Sequence, residues 1–242
     1  MESAIITGTS NGVGLAAAKL FLEKGIAVYG LDIKPCSDDL LEYIDKGMYY
    51  HFRVDVSKAK DLPRLPDVEY IINNAGIVTP QSEAIEVNCI GYINILEKYA
   101  DSPKLKAILQ IGSTASYKGY DNIRYCASQG ARDAITKWAA NNYGNDPRHV
   151  VVNSLNLDGI VPFDEKTGRA GTALEPELYE HPELLDQIKN LSVLKRLTTV
   201  EQIAKWIYFL TVVNDSMTGQ ILSIDGELIG AYKFIKYPGW NK

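Results

Sequence analysis

The segment Ala4-Ile5-Ile6-Thr7-Gly8-Thr9-Ser10-Asn11-Gly12-Val13-Gly14 constrains the rest of the chain more than any other. It reads as a short buried strand, a turn carrying three glycines, and a helix that opens into Leu15-Ala16-Ala17-Ala18. The start of a helix presents unpaired N–H groups and a partial positive charge, so an anion can dock there. Glycines omit the Cβ where the backbone turns sharply and a phosphate must come close. The spacing is G-x-x-x-G-x-G, which differs from the usual G-x-G-x-x-G dinucleotide fingerprint. A plain glycine turn joining strand to helix is the competing reading at this point.

Residues 15–23 have the mixed small and apolar pattern of a helix packed on a sheet, and Lys24-Gly25 closes it with a cation and a glycine. The run Ile26-Ala27-Val28-Tyr29-Gly30-Leu31-Asp32 then predicts a second strand ending in an acid, 18 residues beyond Gly14. On a parallel neighbour of the first strand, that carboxylate would lie beside an adenosine ribose and accept from both hydroxyls. It would repel a 2′-phosphate, and Asn11 brings no basic side chain to attract one, so NAD(H) is favoured over NADP(H). The competing reading is an acid that merely closes a strand.

The runs 49–56, 68–76, 107–113, 150–156 and 220–226 predict five further strands, with helices over 83–100 and about 125–143 between them. Strands that are wholly apolar and alternate with helices indicate a parallel sheet covered on both faces. The expected fold is α/β: a single doubly wound, Rossmann-type domain over residues 1–242, with a seven-stranded, mostly parallel sheet. The apolar fraction of 46% is ample for such a core.

Several function classes are disfavoured. A net charge of −5 and the lack of a Lys/Arg block speak against a nucleic-acid surface. No apolar run reaches the roughly 18 residues of a membrane span, and a strand beginning within four residues of Met1 leaves no room for a signal peptide. Cys36, Cys89 and Cys126 are scattered and odd in number, as free thiols in a reducing, cytoplasmic setting would be. His51, His149 and His181 show no metal-ligand spacing, so no metal is expected.

In order and spacing, these motifs resemble the short-chain dehydrogenase/reductase family along nearly the whole chain, from Ala4 to Gly226. Thr7-Gly8-x-x-x-Gly12-x-Gly14 is similar to its cofactor turn, Asp32 to its NAD-type acid, Asp55-Val56 to the pair that meets the adenine, and Asn73-Asn74-Ala75-Gly76 to the strand-end motif beneath the cofactor. Asn88 matches the family's catalytic asparagine; Ser113 ends the fifth strand, and Tyr125 follows twelve residues later. The resemblance implies that Gly8, Ser10, Asn11, Gly12, Val13, Gly14, Asp32, Ile33, Asp55, Val56, Asn74, Ala75 and Gly76 contact the cofactor, together with Tyr125, Gln129 and Ile160 at the nicotinamide end. It implies a small-molecule alcohol or ketone substrate, with Tyr125 as general acid/base and Ser113 orienting the substrate oxygen. It also implies a homodimer or homotetramer. A tyrosine whose pKa is about 10 in isolation must have it lowered to work near neutral pH. In the family a lysine one helical turn after the tyrosine does this and grips the nicotinamide ribose, while the asparagine supports a water chain to that lysine.

Here Tyr125-Cys126-Ala127-Ser128-Gln129 puts glutamine in the lysine position. A unit charge about 6 Å from the phenol, at an effective dielectric of about 20, is worth roughly 3 kcal/mol, or about two pKa units. Gln129 retains a hydrogen-bond donor but not that field; Lys118, Arg124 and Arg132 are the nearby cations that sequence leaves unplaced. Two accounts fit: a variant with slow or alkaline-shifted activity, and a position changed so as to silence the enzyme. A cofactor-binding sensor or scaffold without hydride chemistry is the alternative function. Other departures share that end of the chain. Asn156-Leu157-Asp158-Gly159-Ile160-Val161-Pro162 replaces the usual Asn-Pro-Gly, with Pro162 where a threonine would help Ile160 hold the carboxamide, and the stretch between Gly76 and Asn88 is short.

Residues 160–199 break the strand–helix rhythm, as a substrate lid would. From 162 to 189 this stretch carries seven acids against three bases, which would repel an acidic carrier protein. The aromatic tail 231–240 is expected to pack on its own body or on a neighbouring subunit. Tyr92, Tyr117 and Tyr120 read as core more than as pocket.

Overall fold

Seven strands form one sheet in which every neighbouring pair is parallel: β1 (Ser3–Thr7), β2 (Ala27–Asp32), β3 (Tyr49–Arg53), β4 (Tyr70–Asn73), β5 (Ala107–Ser113), β6 (Val151–Leu157) and β7 (Ile221–Ile224). The computed structural model describes residues 1–119, 122–158 and 182–226. Strand order is β3-β2-β1-β4-β5-β6-β7, so the chain runs outward from β1 to β3 and then crosses back to start β4 on the other side of β1. That reversal opens a crevice at the carboxyl ends of β1 and β4, where ligands of doubly wound sheets bind.

The helices are α1 (Gly12–Glu23), α2 (Leu41–Asp45), α3 (Gly91–Tyr99), α4 (Ala115–Lys118), α5 (Ile123–Gly144), α6 (Pro182–Leu191) and α7 (Val200–Tyr208). Alternation along the strands divides the core between the two faces. Ala4, Ile6, Val28, Ile72 and Leu109 pack with Phe21 of α1 and Ile203 and Ile207 of α7. Ile5, Leu31, Ile71, Ile108 and Val152 pack with Ile95 and Leu96 of α3 and Ala139 of α5. Side chains of this size contribute about 1.5–3 kcal/mol each when fully buried, so a run such as Ala4-Ile5-Ile6 anchors the centre of the sheet from both sides.

Local chemistry moves some boundaries from those expected. The helix predicted over 83–100 is instead a 3₁₀ turn (Gln81–Glu83), a π-helical turn (Glu86–Ile90) and then α3. Asn88 lies inside the π turn, its side-chain amide bonded to both backbone groups of Ile77. α5 begins two residues before Tyr125 because Asn122 caps it, Oδ1 accepting the Tyr125 N–H at 2.8 Å. A capping box at Thr199 and Gln202 starts α7. No helix among the described residues is long and apolar enough to cross a membrane. Tyr120, Ile160, Pro162, His181, the 160–181 part of the lid and the aromatic tail lie outside the described residues.

Candidate functional site

Thr7, Asp32, Asn73 and Ser113 are the last residues of β1, β2, β4 and β5, which brings the sequence motifs to one edge of the sheet. At its centre the glycine turn is held tightly. Gly8 and Gly12 adopt φ of +78° and +56°, conformations that favour glycine. A Cβ on Gly14 would lie 2.0 Å from the Gly8 carbonyl oxygen. Asn74 stitches the end of β4 to this turn: its Nδ2 donates to the Thr7 carbonyl at 2.8 Å. Thr7 Oγ1 in turn accepts the N–H groups of Asn74 and Ala75 at 2.9 and 2.8 Å. Asn11 is extended at the head of α1 and makes no side-chain cap, and no acid stands in the first turn. The first amides of α1 and the open glycine backbone therefore fit a diphosphate.

Asp32 is buried, with Oδ2 accepting the Ser10 N–H at 2.9 Å and Oδ1 the Lys34 N–H at 2.8 Å. Ile33 beside it is 57% exposed, an apolar surface at the mouth of the site. Asp55 Oδ1 accepts from both the N–H and the hydroxyl of Ser57. The Val56 side chain turns inward against Gly91, and its carbonyl accepts from Asn94. A second network runs beneath the turn. Thr9 Oγ1 is 2.8 Å from the Tyr49 hydroxyl, which is 3.0 Å from His51 Nδ1, and His51 Nε2 is 3.0 Å from the Lys34 carbonyl. Gly30 makes room for it, since a Cβ there would come 2.2 Å from the Tyr49 hydroxyl.

At the other end, Tyr125 stands on the first turn of α5 with buried Ser113, the last residue of β5, acting on its phenol. Burial pushes the Tyr125 phenol above its usual pKa, the Ser113 hydroxyl and the Arg132 charge pull it down, and Cys126 and Asp158 push it up. Asn88, fully buried, donates from Nδ2 to the Ser128 hydroxyl at 3.1 Å, and Ser128 donates to the Tyr125 carbonyl at 2.7 Å. Gln129 is 1% exposed; its Nε2 lies 3.5 Å from Ser128 Oγ, and its Oε1 accepts from Arg132 at 3.3 Å.

The three unplaced cations separate clearly. Arg124 is exposed. Lys118 is largely covered and lies between two acids, 2.5 Å from Asp158 and 3.3 Å from Asp225, with Thr114 donating to the same Asp158 at 3.1 Å. Arg132 is buried, donating to the carbonyls of Asn88, Ile111 and Ala75. Sequence reasoning named Arg132 without a role and missed the Lys118–Asp158–Asp225 cluster, whose one signal was Asp158 in place of a proline. Tyr92 is core, as its reading favoured: it is fully buried, with its hydroxyl on the Ile111 carbonyl and its ring 3.8 Å from the Arg132 guanidinium carbon. Tyr117 differs from that reading; it is half exposed, with its hydroxyl 2.8 Å from Ser223 Oγ. α4 is a single turn, too short to bury a ring on both sides.

A family model described as enoyl-(acyl carrier protein) reductase matches residues 8–227. The chain belongs to the short-chain dehydrogenase/reductase family of oxidoreductases. It is 26% identical over 248 residues to an NAD-dependent glycerol dehydrogenase of Listeria innocua, covering 92% of each chain. It is similar to a solved 4-hydroxyisoleucine dehydrogenase complexed with NADH (26% identity, TM-score 0.76, 93% and 98% of the two chains). The fold is also shared with ElxO in its NADP-bound form (23% identity, TM-score 0.74, 94% and 98% coverage).

Proposed function

We propose that this protein transfers a hydride between NAD(H) and an alcohol or ketone, with Tyr125 moving the proton at the substrate oxygen. When bound, the nicotinamide cofactor supplies the hydride acceptor or donor. The amides of Gly12, Val13 and Gly14, with the backbone of Gly8, Ser10 and Asn11, hold its diphosphate. Asp32 takes the adenosine ribose, Ile33, Asp55 and Val56 border the adenine, and Asn74, Ala75 and Gly76 lie beneath. Ile160 and Gln129 serve the nicotinamide end. Ser113 orients the substrate oxygen, and Asn88 braces the first turn of α5 through Ser128. The observation that carries this reading is the placement of Ser113 at the end of β5 and Tyr125 on the first turn of α5, on the same sheet edge as the glycine turn, since general acid/base work needs both groups within reach of one oxygen.

Preference for NAD(H) follows from the charge of Asp32, which would face a 2′-phosphate at close range. The acidic stretch 162–189 speaks against a substrate carried on an acidic protein, despite the wording of the family model. Three cysteines outside any disulfide suit a reducing, cytoplasmic compartment. An apolar groove between α3 and α5, lined by Ile93, Leu96, Ile135 and the half-exposed Trp138, supports a homodimer or homotetramer. A monomer by light scattering at micromolar concentration would remove the oligomer.

Gln129 supports a second reading, an NAD(H)-binding protein that performs no hydride chemistry. Nicotinamide absorbance against a panel of alcohols and ketones, from about pH 7 to 10, separates the two. Turnover that disappears in Tyr125→Phe while NADH binding persists is the expected result. NADH binding with no turnover by the protein or by Gln129→Lys favours the second reading.

A further inference from the structure

We propose that Arg132 is the positioning residue whose charge sets the proton affinity of Tyr125, a task that Gln129 cannot perform. This rests on the reading of Tyr125 as the proton carrier. Arg132 follows Tyr125 by two turns of α5, about 10 Å of helix rise, and long side chains in a helix lean back toward its N-terminus. The guanidinium is wedged where four elements meet. Nε donates to Asn88 of the π turn at 2.8 Å, Nη1 to Ile111 of β5 at 2.7 Å and Nη2 to Ala75, after β4, at 2.9 Å. Nη1 also reaches Gln129 Oε1 at 3.3 Å, and the ring of Tyr92 covers the group. Gly76 leaves the space for it, since a Cβ there would lie 2.7 Å from Nη2.

Among the described residues no carboxylate forms an ion pair with Arg132. Its bonds go to neutral carbonyl oxygens, so no carboxylate at ion-pair distance offsets its charge in a low-dielectric setting, where fields reach further. Lys118 is committed to ion pairs with Asp158 and Asp225, which oppose its field. Arg124 is exposed and screened by solvent. Among the described residues, the groups that act on Tyr125 include Ser113 of β5, Tyr92 of α3, Cys126 and Arg132 of α5, and Asp158 beyond β6; those that act on Arg132 include Tyr92, Cys89, Tyr125 and Asp133. Of these, Arg132 is the one cation. Its influence on Tyr125 is downward, against the upward push of burial.

Tyrosines labelled with ¹³C at Cζ report ionisation directly, and the Tyr125 signal is the one missing from Tyr125→Phe. Titrated from about pH 8 to 12.5, its midpoint is expected to rise by roughly one pH unit in Arg132→Met, the order of effect of one unit charge removed from a low-dielectric neighbourhood. It is expected to return in Arg132→Met/Gln129→Lys, which restores a cation one turn from the tyrosine, and to stay near its original value in Arg132→Lys. An unchanged midpoint in Arg132→Met overturns the proposal, as does a rise that the double variant fails to reverse. Where Arg132→Met does not fold, Arg132→Gln carries the same comparison. The alkaline limb of kcat/KM should move with the midpoint. Absence of turnover in the unaltered protein would count against hydride transfer alone, because the titration reads the Arg132–Tyr125 coupling without it.

Discussion

Asp32 Oδ2 accepts the main-chain N–H of Ser10 at 2.9 Å, so the glycine turn and the end of β2 move as one unit. The carboxylate is fixed before any ligand arrives, which reduces the ordering cost of binding. Asp32→Ala is expected to raise the Kd for NADH about tenfold or more, since a hydrogen bond to a charged group is worth about 1.5–3 kcal/mol. It should also narrow the gap between NADH and NADPH, by removing a charge that opposes the 2′-phosphate. Fluorescence titration with both nucleotides tests this; an unchanged ratio would mean that the selectivity lies elsewhere.

Two glycines should respond in opposite directions. Gly14→Ala places a Cβ 2.0 Å from the Gly8 carbonyl oxygen, backbone against backbone, so the turn must open. Overpacking of this kind costs about 1–3 kcal/mol, and Tm should fall by about 2–4 °C per kcal/mol for a chain of this size. Gly130, inside α5, has nothing within 4 Å of its would-be Cβ. Gly130→Ala should therefore raise Tm by a few degrees, because glycine is about 1 kcal/mol poorer than alanine within a helix. Thermal melts of the two variants beside the unaltered protein decide both.

Tyr49 and Tyr92 are fully buried, and burial holds both phenols above the usual value of 10. Above about pH 10 the unfolded chain releases these protons while the folded chain keeps them, so the folded state binds more protons and stability falls as pH rises. Each group contributes a slope of up to about 1.4 kcal/mol per pH unit. Denaturant midpoints should be flat from about pH 8 to 9 and drop beyond about pH 10. A midpoint that holds to about pH 11 would contradict this.

Gln110 in β5 is fully buried, and neither atom of its amide has a hydrogen-bond partner. It pairs in register with Asn73 of β4, whose Oδ1 is also without one. An unsatisfied buried amide costs about 1–3 kcal/mol. Gln110→Leu, similar in volume and apolar, is expected to stabilise the fold by about 1 kcal/mol. Urea unfolding with an unchanged slope and a higher midpoint is the result to look for, and a lower midpoint would refute it.

The inner strands were legible because parallel strands covered on both faces read as continuous apolar runs, as Ala107-Ile108-Leu109 does. Their ends were less so. Asn122 starts α5 and Asn88 bends the approach to α3 through bonds to residues whose position follows only from the folded loop, Val78 and Ile77. The glycine turn, Asp32, Ser113 and Tyr125 could be picked out because their chemistry depends on local spacing along one strand, turn or helix.

The charges around Tyr125 are another matter. Lys118 and Arg132 each stand seven residues from it and Arg124 is its neighbour, and none of these spacings says which charge survives. Lys118 is cancelled by Asp158 and Asp225, 40 and 107 residues away, arriving from the ends of β6 and β7. Arg132 is buried against carbonyls delivered by β4, β5 and the π turn. Sequence by itself determined the order of elements and the chemical groups at the sheet edge, because hydrophobic period and turn chemistry act over a few residues. Tertiary structure alone decided which cation keeps its field, because electrostatic compensation depends on distance through space and on burial.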